Sequence, residues 1–105
     1  MGFEQYHEPA EELDEKTRTF ARLISSMIEE AEAIAWYEQR LALEQDEEAR
    51  AIMEHTQKEE FIHFGMDLEF LLRRTPKWRN ILKNLLFKKG DLIELAEKAE
   101  EVVPE

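Results

Sequence analysis

From Ala10 to Glu44 the chain contains neither glycine nor proline. Through that stretch Phe20, Leu23, Ile24, Met27, Ile28, Ala31, Ile34, Ala35 and Leu41 recur at steps of three and four. An unbroken run with this period reads as one long amphipathic helix, on the order of 50 Å at about 1.5 Å per residue. Pro9 suits a first helical position, and Glu8, Glu11 and Glu12 complement the positive end of the helix dipole. The first helix is therefore expected over residues 8–44, after an irregular, flexible segment 1–7.

Gln45-Asp46 is the expected turn, with Asp46 capping a second helix whose first turn holds Glu47 and Glu48. That helix is expected over residues 46–75, with Ile52, Met53, Thr56, Met66, Phe70 and Leu71 on its inner side. Thr75-Pro76 ends it, because the residue before proline avoids helical geometry. Short helices fill residues 76–101. The first carries Trp78, Ile81, Leu82, Leu85 and Leu86 and is broken at Lys88-Lys89-Gly90. The second is capped by Asp91 and carries Leu92, Leu95, Ala96 and Ala99. The fold class is all-α: two long antiparallel helices plus short C-terminal helices, in one domain over 1–105. Both long helices carry broad apolar stripes, and a hairpin has only one partner face. Two copies pairing into a four-helix bundle would bury what one leaves exposed.

The net charge is −11, from 25 acidic and 14 basic side chains. Nucleic acid and anionic membranes both require a basic footprint, so neither is an expected partner. Cysteine is absent, which excludes thiolate catalysis and iron–sulfur ligation. Met1-Gly2-Phe3-Glu4 begins no basic-then-apolar signal segment, and no apolar run approaches the roughly 20 residues that span a bilayer. A cytoplasmic protein is expected.

Chemistry enters with Glu30 and with Glu60-Phe61-Ile62-His63. Glu30 lies fifteen residues before Gln45 and Glu60 fifteen after it, so an antiparallel hairpin puts them at one height. Glu30 is seven residues from both Leu23 and Tyr37, and interrupts an apolar stripe. His63 is seven from Thr56 and Phe70, which reads as an inward row. The three-residue step from Glu60 to His63 places both on one helical face. Dinuclear carboxylate bundles take one Glu from each of two helices and a Glu-x-x-His from each of two others. This chain supplies one of each, so two copies would have to meet. Buried ionised carboxylates are costly unless compensated. Two copies of Glu30 and Glu60 carry four negative charges, which two ferrous ions balance, with two neutral imidazoles completing an oxygen/nitrogen shell.

These residues bring the chain close to a known family. His7-Glu8-Pro9, the stretch from Met27 through Glu29-Glu30-Ala31-Glu32 and Trp36-Tyr37 to Arg40, Glu59-Glu60-Phe61-Ile62-His63 and Lys77-Trp78 resemble the encapsulated ferritins. These are ferritin-like cargo proteins of encapsulin nanocompartments, and the resemblance spans residues 7–88. It implies a protomer whose dimer rebuilds the ferritin bundle, with dimers forming a decameric ring. It implies a ferroxidase that oxidises Fe(II) with O₂ at a di-iron centre between subunits, for mineralisation and storage inside an encapsulin shell. The centre would use Glu30, Glu60 and His63 from both subunits, with Tyr37 beside it. Glu29, Glu32 and Trp36 would form the site where metal enters, and His55 and Glu59 a peripheral site. Calcium or other divalent ions could occupy these outer positions. Two departures stand out. Ile62 replaces a further acid of the peripheral site, and Val102-Val103-Pro104-Glu105 does not resemble the family's shell-loading peptide.

Plainer readings compete. Trp36 and Tyr37 can be ordinary core aromatics, although Tyr37 is placed to hydrogen-bond a ligating carboxylate. Glu29 and Glu32 share a face and can be simply solvated. His55 reads as a surface histidine, and His55-Thr56-Gln57-Lys58 only faintly resembles a phosphotransfer motif. The whole chain could be a non-enzymatic acidic dimerisation or adaptor module, or a different di-iron enzyme such as a peroxidase.

Overall fold

A computed structural model describes residues 5–101, and the regular elements among them are helical. A single turn of 3₁₀ helix at Ala10–Glu12 precedes α1 (Glu15–Leu43), α2 (Glu47–Arg74), α3 (Pro76–Lys83) and α4 (Leu92–Glu101). Residues 1–4 of the expected flexible segment, and residues 102–105, which do not resemble a shell-loading peptide, lie outside the described residues.

The first long helix starts later than its pattern suggests. Leu13 and Asp14 are extended, with ψ of 140° and 169°. Asp14 Oδ1 accepts the Thr17 N–H at 2.8 Å, satisfying one of the donors that a helix start leaves open. Its carboxyl is held below the usual carboxylate range by hydrogen bonding from the Thr17 side chain and then from the Thr17 N–H. Asp14-x-x-Thr17 is thus a local start signal that outcompetes continuation from Pro9. Arg18 then braces the entry of the chain, donating to Ala10 O at 3.4 Å and pairing with Glu15 at 3.2 Å.

The turn between α1 and α2 is built as the sequence suggests. Asp46 Oδ1 accepts from Ala49 N at 2.8 Å. Arg50 reaches back across the turn to the carbonyls of Leu41 and Glu44, which no helical N–H can reach. Further along, Gln57 is buried, and its amide donates to Ile34 O at 3.2 Å and Glu38 Oε1 at 2.9 Å. These contacts fix α1 and α2 as an antiparallel pair in a single register.

Burial along α2 recurs at Met53, Gln57, Glu60, Phe64 and Asp67, alternating steps of four and three. This is the face turned to α1. Ile52 and Met66, expected on the inner side, are 63% and 60% exposed. They belong to a neighbouring stripe, and Phe61 and Ile62 are exposed on other sides again. A helix apolar around most of its circumference is built for more than one packing partner. Among the described residues of α1 only Met27 is buried.

The described residues group into two compact units, divided between Glu69 and Phe70 within α2. In the second unit Leu71, Leu72 and Ala99 are buried, and α3 packs against α4. Pro76 opens α3 as expected. The helix stops at Lys83, however, earlier than Lys88-Lys89-Gly90. The Asn84 amide donates to Asn80 O at 2.8 Å, and the backbone turns through Phe87, whose φ is +61°. Gly90, at φ +121°, reaches a conformation that a side chain disfavours, and Asp91 Oδ2 caps α4 through Glu94 N at 3.0 Å.

Candidate metal centre

Register and face together decide which polar groups meet. The covered face of α2 carries Glu60 and Asp67 toward α1, and α1 turns Glu30 toward them. The Glu30 carboxyl lies near enough to that of Asp67, and to Glu60 and His63, for all three to act on its charge. Burial, then the Asp67 carboxyl, push the Glu30 pKa up to about 7. Glu30 Oε2 and Asp67 Oδ2 are each buried without a hydrogen-bond partner. Such orphaned oxygens carry an unrelieved desolvation cost and mark a place that a cation would satisfy.

Glu60 Oε1 and His63 Nδ1 stand 3.4 Å apart, an ion pair only when the imidazole is protonated. Glu60 is mostly covered, with its side chain 21% exposed, whereas that of His63 is 47% exposed. The inward row expected for Thr56, His63 and Phe70 therefore turns His63 outward, because the face against α1 is centred on Gln57, Glu60 and Phe64.

Glu30, Glu60 and His63 line one open cavity of about 440 Å³, with Ser26, Glu29, Glu32, Ala33 and Trp36. The three residues expected at a metal centre and the three expected where metal enters thus share a single space. Trp36 is half exposed at this cavity and also edges a shallower one with Gln39 and Arg40. Tyr37 is not among the lining residues; the Arg40 guanidinium lies over its ring at 4.9 Å. His55 and Glu59 stand apart from the cavity as well.

Asp67 was not singled out from the sequence. It lies seven residues beyond Glu60 and four beyond His63, so the helical period contained the signal. What hid it was the choice of inner stripe on α2, which the exposed Ile52 and Met66 had suggested.

The donor set, carboxylates with one imidazole, suits iron, manganese or zinc. Among the described residues, no three His, Asp or Glu side chains of one chain are placed to hold a metal ion by themselves. The residues fit a metal centre as part of a shell, with one side of the cavity open.

Known proteins share this arrangement of sequence and fold. Residues 5–89 match the family described as EncFtn-like. A ferritin-like protein from Thermotoga maritima is 44% identical over 95 residues, covering 90% of this chain and 83% of the relative. An encapsulated ferritin-like protein from Rhodospirillum rubrum is 43% identical over 97 residues, covering 90% and 69%. The crystal structure of protein ne0167 from Nitrosomonas europaea superposes with a TM-score of 0.80 at 38% identity, covering 85% of this chain and 99% of that one.

Proposed function

The chain belongs to the EncFtn-like family of ferritin-like helical proteins, and from that footing we propose that it is a ferroxidase, an Fe(II):oxygen oxidoreductase whose di-iron centre forms between two copies. The observation that carries this reading is the shared cavity of Glu30, Glu60 and His63, open on one side. A second copy supplying the same three residues would close the shell and bring four carboxylates and two imidazoles to two ions.

Iron is substrate here: two ferrous ions each give one electron to O₂ and leave as ferric product. Glu30 and Glu60 would hold the ions, and as hard anionic donors they favour the ferric state over the ferrous. His63 would ligate as neutral imidazole, with Glu60 beside its Nδ1 orienting the ring. Glu29 and Glu32, at the same cavity as Trp36, would raise the local concentration of hydrated cations, including calcium. Tyr37, held beneath Arg40, would contribute from beside the centre.

Assembly would then follow the family: a dimer at the centre and a decameric ring of dimers, enclosed in an encapsulin shell in the cytoplasm. The relative from R. rubrum is named as encapsulated. No described helix is long and apolar enough to cross a membrane. The test is O₂-dependent oxidation of Fe(II), followed by the near-ultraviolet absorbance of the ferric product. Glu30→Ala, Glu60→Ala and His63→Ala should each cut the rate by at least about tenfold, the scale of losing a metal-site group. Undiminished rates in all three would remove the enzymatic reading.

The second reading, an acidic dimerisation module, draws on the lack of a metal-holding triad within one described chain. It predicts no stoichiometric transition metal in the purified protein, which elemental analysis decides.

A further inference from the structure

The shallower cavity near the C-terminal end of α1, about 380 Å³, is bordered by Trp36, Gln39 and Arg40. Their side chains are an indole, an amide and a guanidinium. Each carries N–H donors, and none is acidic. On the other side of Trp36 lies the larger cavity, whose walls include Glu29, Glu30, Glu32 and Glu60. Two spaces of opposite character thus share one indole. In a chain of net charge −11, a donor-lined space without a carboxylate needs a physical reason.

Arg40 is the charged member of this set, and among the described residues it has no carboxylate partner. The two acids nearest to it along the chain are engaged elsewhere. Glu38 accepts from the Gln57 amide at 2.9 Å, and the Glu44 carboxylate accepts from Asp46 N at 3.1 Å. The Arg40 guanidinium instead lies over the Tyr37 ring, 4.9 Å from its centroid. That contact holds a long side chain in place, and a planar fork of N–H donors remains to meet oxyanion oxygens two at a time.

We propose that Arg40, Gln39 and Trp36 form an oxyanion subsite that takes inorganic phosphate beside the candidate metal centre. Arg40 supplies the charge and paired donors, Gln39 a neutral amide donor and Trp36 the wall toward the acidic cavity. Repulsion from the rest of the acidic chain is screened over about 10 Å at 0.1 M ionic strength, which leaves these local donors to decide binding. The subsite needs no metal and stands apart from the ferroxidase reading; only a part in receiving ferric product would rest on that reading.

The experiment titrates inorganic phosphate against the full-length, metal-free protein at neutral pH and about 0.1 M ionic strength, read by the phosphorus-31 NMR line width. Broadening should saturate, and sulfate should reverse it where chloride at equal ionic strength does not. Arg40→Gln should weaken binding at least about tenfold, the scale of losing a charge-assisted hydrogen bond. Arg40→Lys keeps the charge without the fork and should bind severalfold more weakly than the parent, so the test survives a folding failure of the glutamine variant. Lys89→Gln, which removes an exposed charge outside this cavity, should change nothing. Absence of saturable broadening in the parent chain would overturn the subsite, as would equal losses in Arg40→Gln and Lys89→Gln. An Arg40→Gln variant that binds phosphate as the parent does, yet shows a smaller oligomeric fraction in sedimentation velocity, would also overturn it and assign Arg40 to a carboxylate of a second copy.

Discussion

The side-chain amide of Gln57 donates to Glu38 Oε1 at 2.9 Å, so a buried residue of α2 is tied to a carboxylate on the outer part of α1. The same amide donates to Ile34 O at 3.2 Å. Gln57 lies twelve residues after Gln45 and Ile34 eleven before it, so this contact sets the register that brings Glu30 opposite the Glu60–Asp67 segment. Gln57→Leu should preserve volume and remove both bonds, at a cost of about 1.5–3 kcal/mol, the range for hydrogen bonds to charged groups. Urea unfolding with unchanged slope but a lower midpoint checks this. Because leucine could still pack in the wrong register, loss of Co(II) binding beyond the loss of stability would show that register is what the amide supplies.

The raised pKa of Glu30 gives the metal-free protein an unusual pH dependence. Its folded pKa of about 7 exceeds the ordinary value of 4.5, so the folded state binds more protons than the unfolded chain between those two values. Stability linked to Glu30 is then present below pH 4.5 and is lost as pH rises through about 7. Glu30→Gln, neutral throughout, should flatten this part of the profile. Metal binding needs the ionised carboxylate, so Co(II) affinity should strengthen across the same window. Melting temperature against pH, with and without Co(II), tests both signs. A metal-free melting point that rises between pH 5 and pH 7.5 would contradict the assignment.

The helices were legible because their signals are local. Asp46, Thr75-Pro76 and Asp91 each act within one turn, and the structure uses all three as the sequence suggests. The start of α1 was less legible because two local signals compete, and the cap at Asp14 prevails over Pro9. The faces of α2 were hardest. Apolar residues surround it, so periodicity alone could not say which stripe meets α1, and the buried stripe turned out to include Gln57, Glu60 and Asp67. Residues usually read as polar exterior became the inner row, and Asp67 was hidden with them. The equal distances of Glu30 and Glu60 from the turn, and the Glu60-x-x-His63 step, needed no such choice.

Assembly should depend on metal. In the proposed pairing, two copies without metal would bring their carboxylates together and repel; with it, the charges would be compensated. Any ion bound only at the shared site stabilises the associated form by mass action. Sedimentation velocity should therefore show a larger oligomeric fraction as Co(II) or Fe(II) is added. Met66, 60% exposed on the stripe beside His63, should join that interface. Met66→Glu adds no buried charge to a single chain and should leave helix content unchanged. It should shift the assembly midpoint by at least about tenfold in protein concentration, the scale of placing an unpaired charge in an interface. Assembly indifferent to both metal and Met66→Glu would place the partner surface elsewhere.

Glu29 and Glu32 are three residues apart, and both line the cavity that Glu30, Glu60 and His63 share. The role proposed for them, as attractors of incoming cations, can be separated from ligation by kinetics. An attractor changes the concentration of substrate at the centre and leaves the bound state alone. The double variant Glu29→Gln, Glu32→Gln should raise the Fe(II) concentration for half-maximal rate severalfold and leave the saturated rate within about twofold, since uniform binding contributes to KM and not to kcat. The effect should shrink with added salt, because attraction between exposed charges is screened over about 10 Å at 0.1 M ionic strength. His63→Ala should behave oppositely, with the saturated rate falling at every Fe(II) concentration and little dependence on salt. A double glutamine variant that loses saturated rate as His63→Ala does would instead make Glu29 or Glu32 a ligand of the centre.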